Sequence, residues 1–280
     1  MAAQGENSFR LGDRLDRVLG AEAAQAWLVD VLCMAADATR RHQSPTFIAD
    51  EARLLLARRL RGQHGSAELL QEHAAWCHAM AQALRDGLAH GADRDEEAAN
   101  KLAARAKVWE RQADELVVQA RARAERRPAE AAQARLLHQA DDVADALEEA
   151  CFVLSLVALN RRQRWGEDVR TAMQALADAV LGAVQEHVKA VSIDSGGTAD
   201  DADADSDAAI DALWRVMQAE RQCDELLRAA RRALAREITD PAALLLGNEL
   251  AAALELASDH LLALGHALRR GTLEREGLAQ

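Results

Sequence analysis

Glu110-Arg111-Gln112-Ala113-Asp114-Glu115-Leu116 recurs as Glu220-Arg221-Gln222-Cys223-Asp224-Glu225-Leu226, with six of the seven positions identical. A repeat sets the architecture of a chain, so it is read before anything else. Each copy sits in the middle of three long helical patterns. Each is followed by a proline, Pro128 or Pro241, that opens the next pattern. Proline suits the first turn of a helix because its missing N–H has no partner there. The expected fold is therefore all-α, built from two tandem three-helix bundles that duplicate one unit.

Composition agrees. Of the 280 residues, 50% are apolar, enough for a core, while aromatics are 3%, tyrosine is absent and there are 3 prolines. A sandwich or barrel needs far more β-branched and aromatic residues and more turns. Working outward from the repeat, a helix is expected over 21–41, ended by Ser44-Pro45, and a short one over 47–61, stopping near Gly62. The first bundle spans 66–165. It holds a helix from Ser66 to about His90 ended by Gly91, one capped by Asp93 or Asp95 and running to Arg127, and one from Pro128 to about Arg164. The second bundle spans 166–270, with helices over 167–191, 208–237 and 241–270, the last capped by Asp240. Residues 193–207 read as an acidic loop within it. Residues 1–62 form an N-terminal helical extension and 271–280 a tail.

The net charge is 34 − 46 = −12 and the isoelectric point about 5.3, which argues against a duplex-DNA reader with its dense basic face. Cys33, Cys77, Cys151 and Cys223 form no CxxC and each lies in an apolar helical pattern, so all four read as buried free thiols. MAAQGENSFR has no signal-peptide core. The longest apolar run, Cys151 to Leu159, is too short to span a bilayer. A cytoplasmic protein is expected, able to sit peripherally at the inner membrane through a partner. Trp27, Trp76, Trp109, Trp165 and Trp214 read as packing residues.

Within the repeat, Glu110 and Asp114 project from one helix face, as do Glu220 and Asp224. The following helix of each unit carries another such pair, Asp141/Asp145 and Glu255/Asp259. With 46 acids in 280 positions, about seven acidic pairs at this spacing arise by chance. Four in matching places of a duplicated unit do not. Like charges at i,i+4 destabilise a helix by about 0.2–0.5 kcal/mol, a cost that a bound cation offsets. Carboxylates are hard ligands suited to Mg²⁺, Mn²⁺, Ca²⁺ or iron. The competing explanation is ion pairing with Arg105, Arg111 or Arg221 on a solvated face.

This doubled ExxxD plan, with Pro128 before the third helix, resembles the PhoU family, and especially the relatives encoded beside Pit-type phosphate transporters. The resemblance covers about residues 66–270. It implies that Glu110, Asp114, Asp141 and Asp145 hold one metal cluster and Glu220, Asp224, Glu255 and Asp259 a second. It implies iron or zinc, or magnesium or manganese as in some relatives. It also implies a role in phosphate uptake through contact with an inorganic phosphate transporter of Pit type or an associated sensor, with no catalytic residue. The first 60 or so residues have no counterpart in the minimal two-bundle plan and read as a cap or a homo-oligomer contact.

Other chemistries fit less of the chain. Asp141-Asp142-Val143-Ala144-Asp145 reads DDxxD, the Mg²⁺-diphosphate motif of all-α isoprenoid synthases. That chemistry also needs a second metal motif and an aromatic pocket, and Asn248 to Glu255 has the wrong spacing. A ferritin-like site needs Glu-x-x-His, and no histidine follows a glutamate by three. His138 and His260 are the histidines near the acidic pairs in sequence. Asp201 to Asp205 resembles the start of an EF-hand loop, but Ser206 and Ala212 stand where Gly and Glu are needed. There is no nucleotide-binding glycine loop. A metal-free helical adaptor is the remaining class.

Overall fold

The computed structural model describes residues 21–40, 48, 52, 66–196 and 202–275. The described residues contain seven α-helices and no strand: α1 (Ala21–Arg40), α2 (Ser66–Ala89), α3 (Glu96–Arg126), α4 (Ala131–Leu159), α5 (Glu167–Gly196), α6 (Ala202–Glu237) and α7 (Pro241–Arg275). A 3₁₀ turn, Pro128–Glu130, leads into α4. The all-helical class expected from composition holds. Residues 67–125 and 129–280 form one compact unit, while α1 belongs to another, residues 1–66 with 126–128. In α1, Ala24 and Ala38 are buried, whereas Leu28, Val29 and Leu32 are exposed.

Local chemistry sets the helix ends. α2 stops in a Schellman turn: the Ala92 N–H donates to Gly87 O at 2.9 Å and the Gly91 N–H to Leu88 O at 3.2 Å. Gly91 takes φ 80°, a left-handed conformation that costs glycine little. Asp95 caps α3, its Oδ1 accepting from the Ala98 N–H at 3.0 Å, with Glu96 and Glu97 in the first turn favoured by the helix dipole. Asp240 caps α7 in the same way, to the Ala243 N–H at 2.9 Å. The expected short helix over 47–61, with the Ser44-Pro45 and Gly62 breaks, lies outside the described residues, apart from helical Ile48 and Ala52.

Three expected boundaries move. α4 ends at Leu159 rather than near Arg164, and α7 runs to Arg275 rather than 270. The described residues of the segment 193–207 are helical, because α5 reaches Gly196 and α6 begins at Ala202; residues 197–201 lie outside the described residues. Alanine alternates there with aspartate, and acids in a first turn stabilise a helix N-terminus.

The core of the larger unit is filled by leucine, methionine and many alanines. Leu84, Leu88, Leu137, Leu147, Leu154, Met173, Leu176, Leu234, Leu250 and Leu254 are all fully buried. On α3 the buried positions Ala99, Leu102, Ala106, Ala113, Val117 and Ala120 recur at spacings of three and four, the period of a packed seam. α4 packs on α7, α5 on α6, and α6 on α7. At one end the connections are tied together. Gln163 Oε1 accepts from the Thr239 and Asp240 N–H groups, both at 2.8 Å. Buried Asp93 faces Arg170, Nε to Oδ2 3.3 Å. Among the described residues, no helix is long and apolar enough to cross a membrane.

Candidate functional site

Glu110 sits where the α3 seam calls for an apolar residue, between Ala106 and Ala113, and is only 7% exposed. Asp114 lies one turn further on at the surface. Across from them α4 presents Asp141, Asp145 and Glu148, at i, i+4 and i+7 on one face. These groups share one electrostatic field. Asp145 is exposed in area, yet desolvation by the surrounding protein is the first cause that pushes its carboxyl up to about 6. The charges of Asp141, Glu110, Asp114 and Asp142 add to it. Burial, then Asp141 and Glu110, raise Asp114 against the pull of Lys107 and His73. Burial raises Glu148 too, with Lys107 opposing and Glu110 adding. The structure thus brings the first four predicted residues together.

It also brings groups that the sequence reading missed. His73, from α2, is fully buried. Its Nε2 lies 3.5 Å from Asp141 Oδ1, and its Nδ1 lies 3.6 Å from Cys77 Sγ. Burial pulls this imidazole down, but Cys77 and Asp141 outweigh it and carry it up to about 9. Lys107 Nζ lies 3.0 Å from Glu110 Oε2 and 4.0 Å from Glu148 Oε2. Lys107 and Glu148 were visible as i−3 and i+7 neighbours of predicted residues. His73 stands on another helix, and no local spacing reveals it. His138, expected near the acids, instead takes a hydrogen bond from Arg121 at 2.9 Å. Arg105, expected as an ion-pairing cation, lies over the Trp109 ring at 4.7 Å.

The second patch repeats the plan on α6 and α7. Glu220 stands in the α6 seam between buried Val216 and Cys223, with Asp224 a turn on. Glu255 and Asp259 face them. Burial is the largest cause that raises Glu255; Asp259 adds, Arg231 opposes, and Asp224 and Glu220 add further. Asp224 is paired with Arg228 at 3.1 Å. Beneath the acids lie buried Cys223 and Ser258. Burial pushes the Cys223 thiol up, which makes it inert. Cys77 and Cys151 are buried as expected, but Cys33 is exposed. Trp214 is 45% exposed, under the Arg269 guanidinium at 5.2 Å, and is not the core residue expected.

With the side chains as they stand, no three His, Cys, Asp or Glu donors among the described residues are close enough to share one ion. Glu110 Oε2, Asp141 Oδ1 and His73 Nε2 are all buried without a hydrogen-bond partner, although native proteins satisfy most such atoms. Glu110 Oε2 has Lys107 beside it as an ion pair that is not aligned as a hydrogen bond. Asp114 and Asp145 are exposed. Two open cavities, of about 820 and 530 Å³, are lined by other residues. Their cations are engaged, with Arg161 on Glu96 at 2.8 Å and Lys101 on Glu97 at 2.6 Å.

Fold and site together define an all-helical bundle that carries two facing-helix carboxylate patches. No protein-family model matches the chain, and no curated protein matches it. The residues and their geometry carry the functional reading.

Proposed function

We propose that this chain is a metal-binding, PhoU-like regulator of inorganic phosphate transport that acts by protein contact and not by catalysis. α2–α4 and α5–α7 are its two tandem three-helix units. Glu110, Asp114, Asp141 and Asp145 hold one metal centre and Glu220, Asp224, Glu255 and Asp259 the other, with iron, zinc, magnesium or manganese as the ion. The partner is a Pit-type transporter or its sensor, met by a cytoplasmic protein at the inner membrane. The observation that supports this reading best is the pair of seam glutamates. Glu110 and Glu220 occupy the same register of the two middle helices, where an apolar residue would pack better, and each is opposed by a second acidic pair. A bound cation offsets the desolvation and repulsion that this placement costs.

Metal analysis by mass spectrometry tests the reading on wild-type protein and on the D114N/D145N/D224N/D259N variant. Two or more ions per chain, lost in the variant, are expected. Capture of the wild type, but not the variant, by a Pit-type transporter in detergent is the second expected result. Absence of bound metal after supply of Mg²⁺, Mn²⁺, Fe²⁺ and Zn²⁺ overturns the metal reading. A metal-free helical adaptor is the alternative, and Lys107 favours it, because that ammonium already supplies the first patch with a cation.

A further inference from the structure

We propose that the groove between α2 and α3 binds a small organic anion, a carboxylate carried on a flat apolar body. The proposal stands apart from the metal reading, because the groove and the first acidic patch share no residue. The cavity, of about 530 Å³, has the size of a small-molecule site. α2 lines it with Ala79, Ala83 and Gly87, at i, i+4 and i+8, and α3 with Ala98 and Leu102. Side chains this short leave an apolar trough about 12 Å long, the rise of eight helical residues. Trp109, the last lining residue on α3, stands at one end.

The polar groups around the trough have partners, with one exception. Asp86 accepts from Gln82 Nε2 at 2.8 Å and pairs with Arg85 at 3.0 Å. His90 Nδ1 donates to the Asp86 carbonyl at 2.6 Å, and Lys101 pairs with Glu97 at 2.6 Å. Arg105 is engaged through the face of its guanidinium alone, 4.7 Å from the centre of the Trp109 ring. Among the described residues no carboxylate pairs with it. A face-on stack leaves the in-plane N–H donors at the guanidinium edge, where a carboxylate binds through two parallel hydrogen bonds. The stack also holds the arginine in place, so less freedom is lost when an anion arrives. One uncommitted cation suits a singly charged carboxylate rather than a doubly charged phosphate, and the trough beside it suits an apolar body. The second unit lacks this arrangement. The counterparts of Arg105 and Trp109, 110 positions on, are Arg215 and Ala219, and Arg215 is paired with Glu186 at 3.3 Å.

The test titrates the full chain, in chelator, with naphthoate, with the neutral naphthylmethanol and with acetate. ¹H–¹⁵N spectra follow the Trp109 indole N–H, assigned with W109F, and the Ala83 amide. Naphthoate is expected to shift both signals and to bind at least about 10-fold more tightly than either control. A folded R105Q variant is expected to lose about 10-fold or more in naphthoate affinity, and A83F, which fills the trough, to lose the response at Trp109. The wild-type spectra carry the result where a variant does not fold. Trp109 and Ala83 signals that stay fixed at millimolar naphthoate overturn the inference. So does naphthylmethanol that binds as tightly as naphthoate, or equal naphthoate affinity in R105Q. Chelator is present throughout, so each outcome bears on the groove and leaves the carboxylate centres to their own test.

Discussion

Asp145→Asn is expected to stabilise the protein once metal has been removed with chelator, although it changes an acid read as a ligand. Desolvation first, and then the charges of Asp141, Glu110, Asp114 and Asp142, push this carboxyl from 3.8 up to about 6. A folded-state value above the unfolded one means that the folded chain holds the proton more tightly. The penalty is absent below about pH 4, grows as the pH rises to about 6, and is fully present above that. Unscreened, the shift corresponds to about 3 kcal/mol. Asp145 is solvent-exposed, and screening brings the figure down to about 1 kcal/mol. Removal of the charge should therefore raise Tm by about 2–4 °C in a chain of this size. The assay is thermal unfolding of D145N against wild type in chelator at low ionic strength, at neutral pH and at about pH 4. The gain should appear at neutral pH, shrink at the acid end and fall with added salt. With saturating Zn²⁺ or Mn²⁺ the sign should reverse, because the variant has lost an oxygen ligand and ligand binding stabilises only the state that binds. D145N that is neutral or destabilised in chelator at neutral pH would refute the reasoning, since the four carboxylates would then not be repelling one another.

Lys107→Met should destabilise the metal-free protein by about 2 kcal/mol, because it leaves the buried Glu110 carboxylate without its counter-charge; saturating metal should restore most of the loss, read by denaturant unfolding. Arg170→Met should cost about 1–2 kcal/mol, because it strips the buried Asp93 of its closest cation and leaves only the more distant Arg94, at 4.0 Å, and Arg164 to offset a buried charge. That loss should not respond to metal. Gly91→Ala should cost about 1 kcal/mol by forcing a side chain into the left-handed region, with no effect on metal binding, and chemical denaturation measures it.

Much of the fold was legible because its signals are local. Gly91, Asp95, Asp240 and Pro241 each set a helix end through a group within four residues of it, and spacing alone exposes such pairs. The acidic pairs were legible for the same reason, as i,i+4 neighbours duplicated 110 positions apart on the middle helices. What stayed hidden was every contact between helices. His73 reaches Asp141 across a gap of 68 residues, and nothing near His73 in sequence marks it. The helical content of 193–207 was missed because glycine and aspartate were read as breakers, although aspartate at a helix N-terminus is favourable. Cys33 and Trp214 were read as core from apolar patterns that did not specify which face is covered.

The two patches also permit a comparison that bears on why the seam glutamates are there. Each patch has its own internal cations, Lys107 in the first and Arg228 with Arg231 in the second, and they do not occupy matching positions. Lys107 corresponds instead to Met217, which carries no charge. Arg228, paired with Asp224 in the second patch, corresponds to Val118 in the first. Glu148, the acid that shares Lys107, corresponds to Leu262 on α7. The flanking charges thus change between the units while the acidic pairs keep their places. The four carboxylates of each patch keep their register while their internal partners change, from Lys107 in the first to Arg228 and Arg231 in the second, a pattern that the proposed external cation accounts for. On that proposal, Lys107 is the local counter-charge of the first patch when the cation is absent.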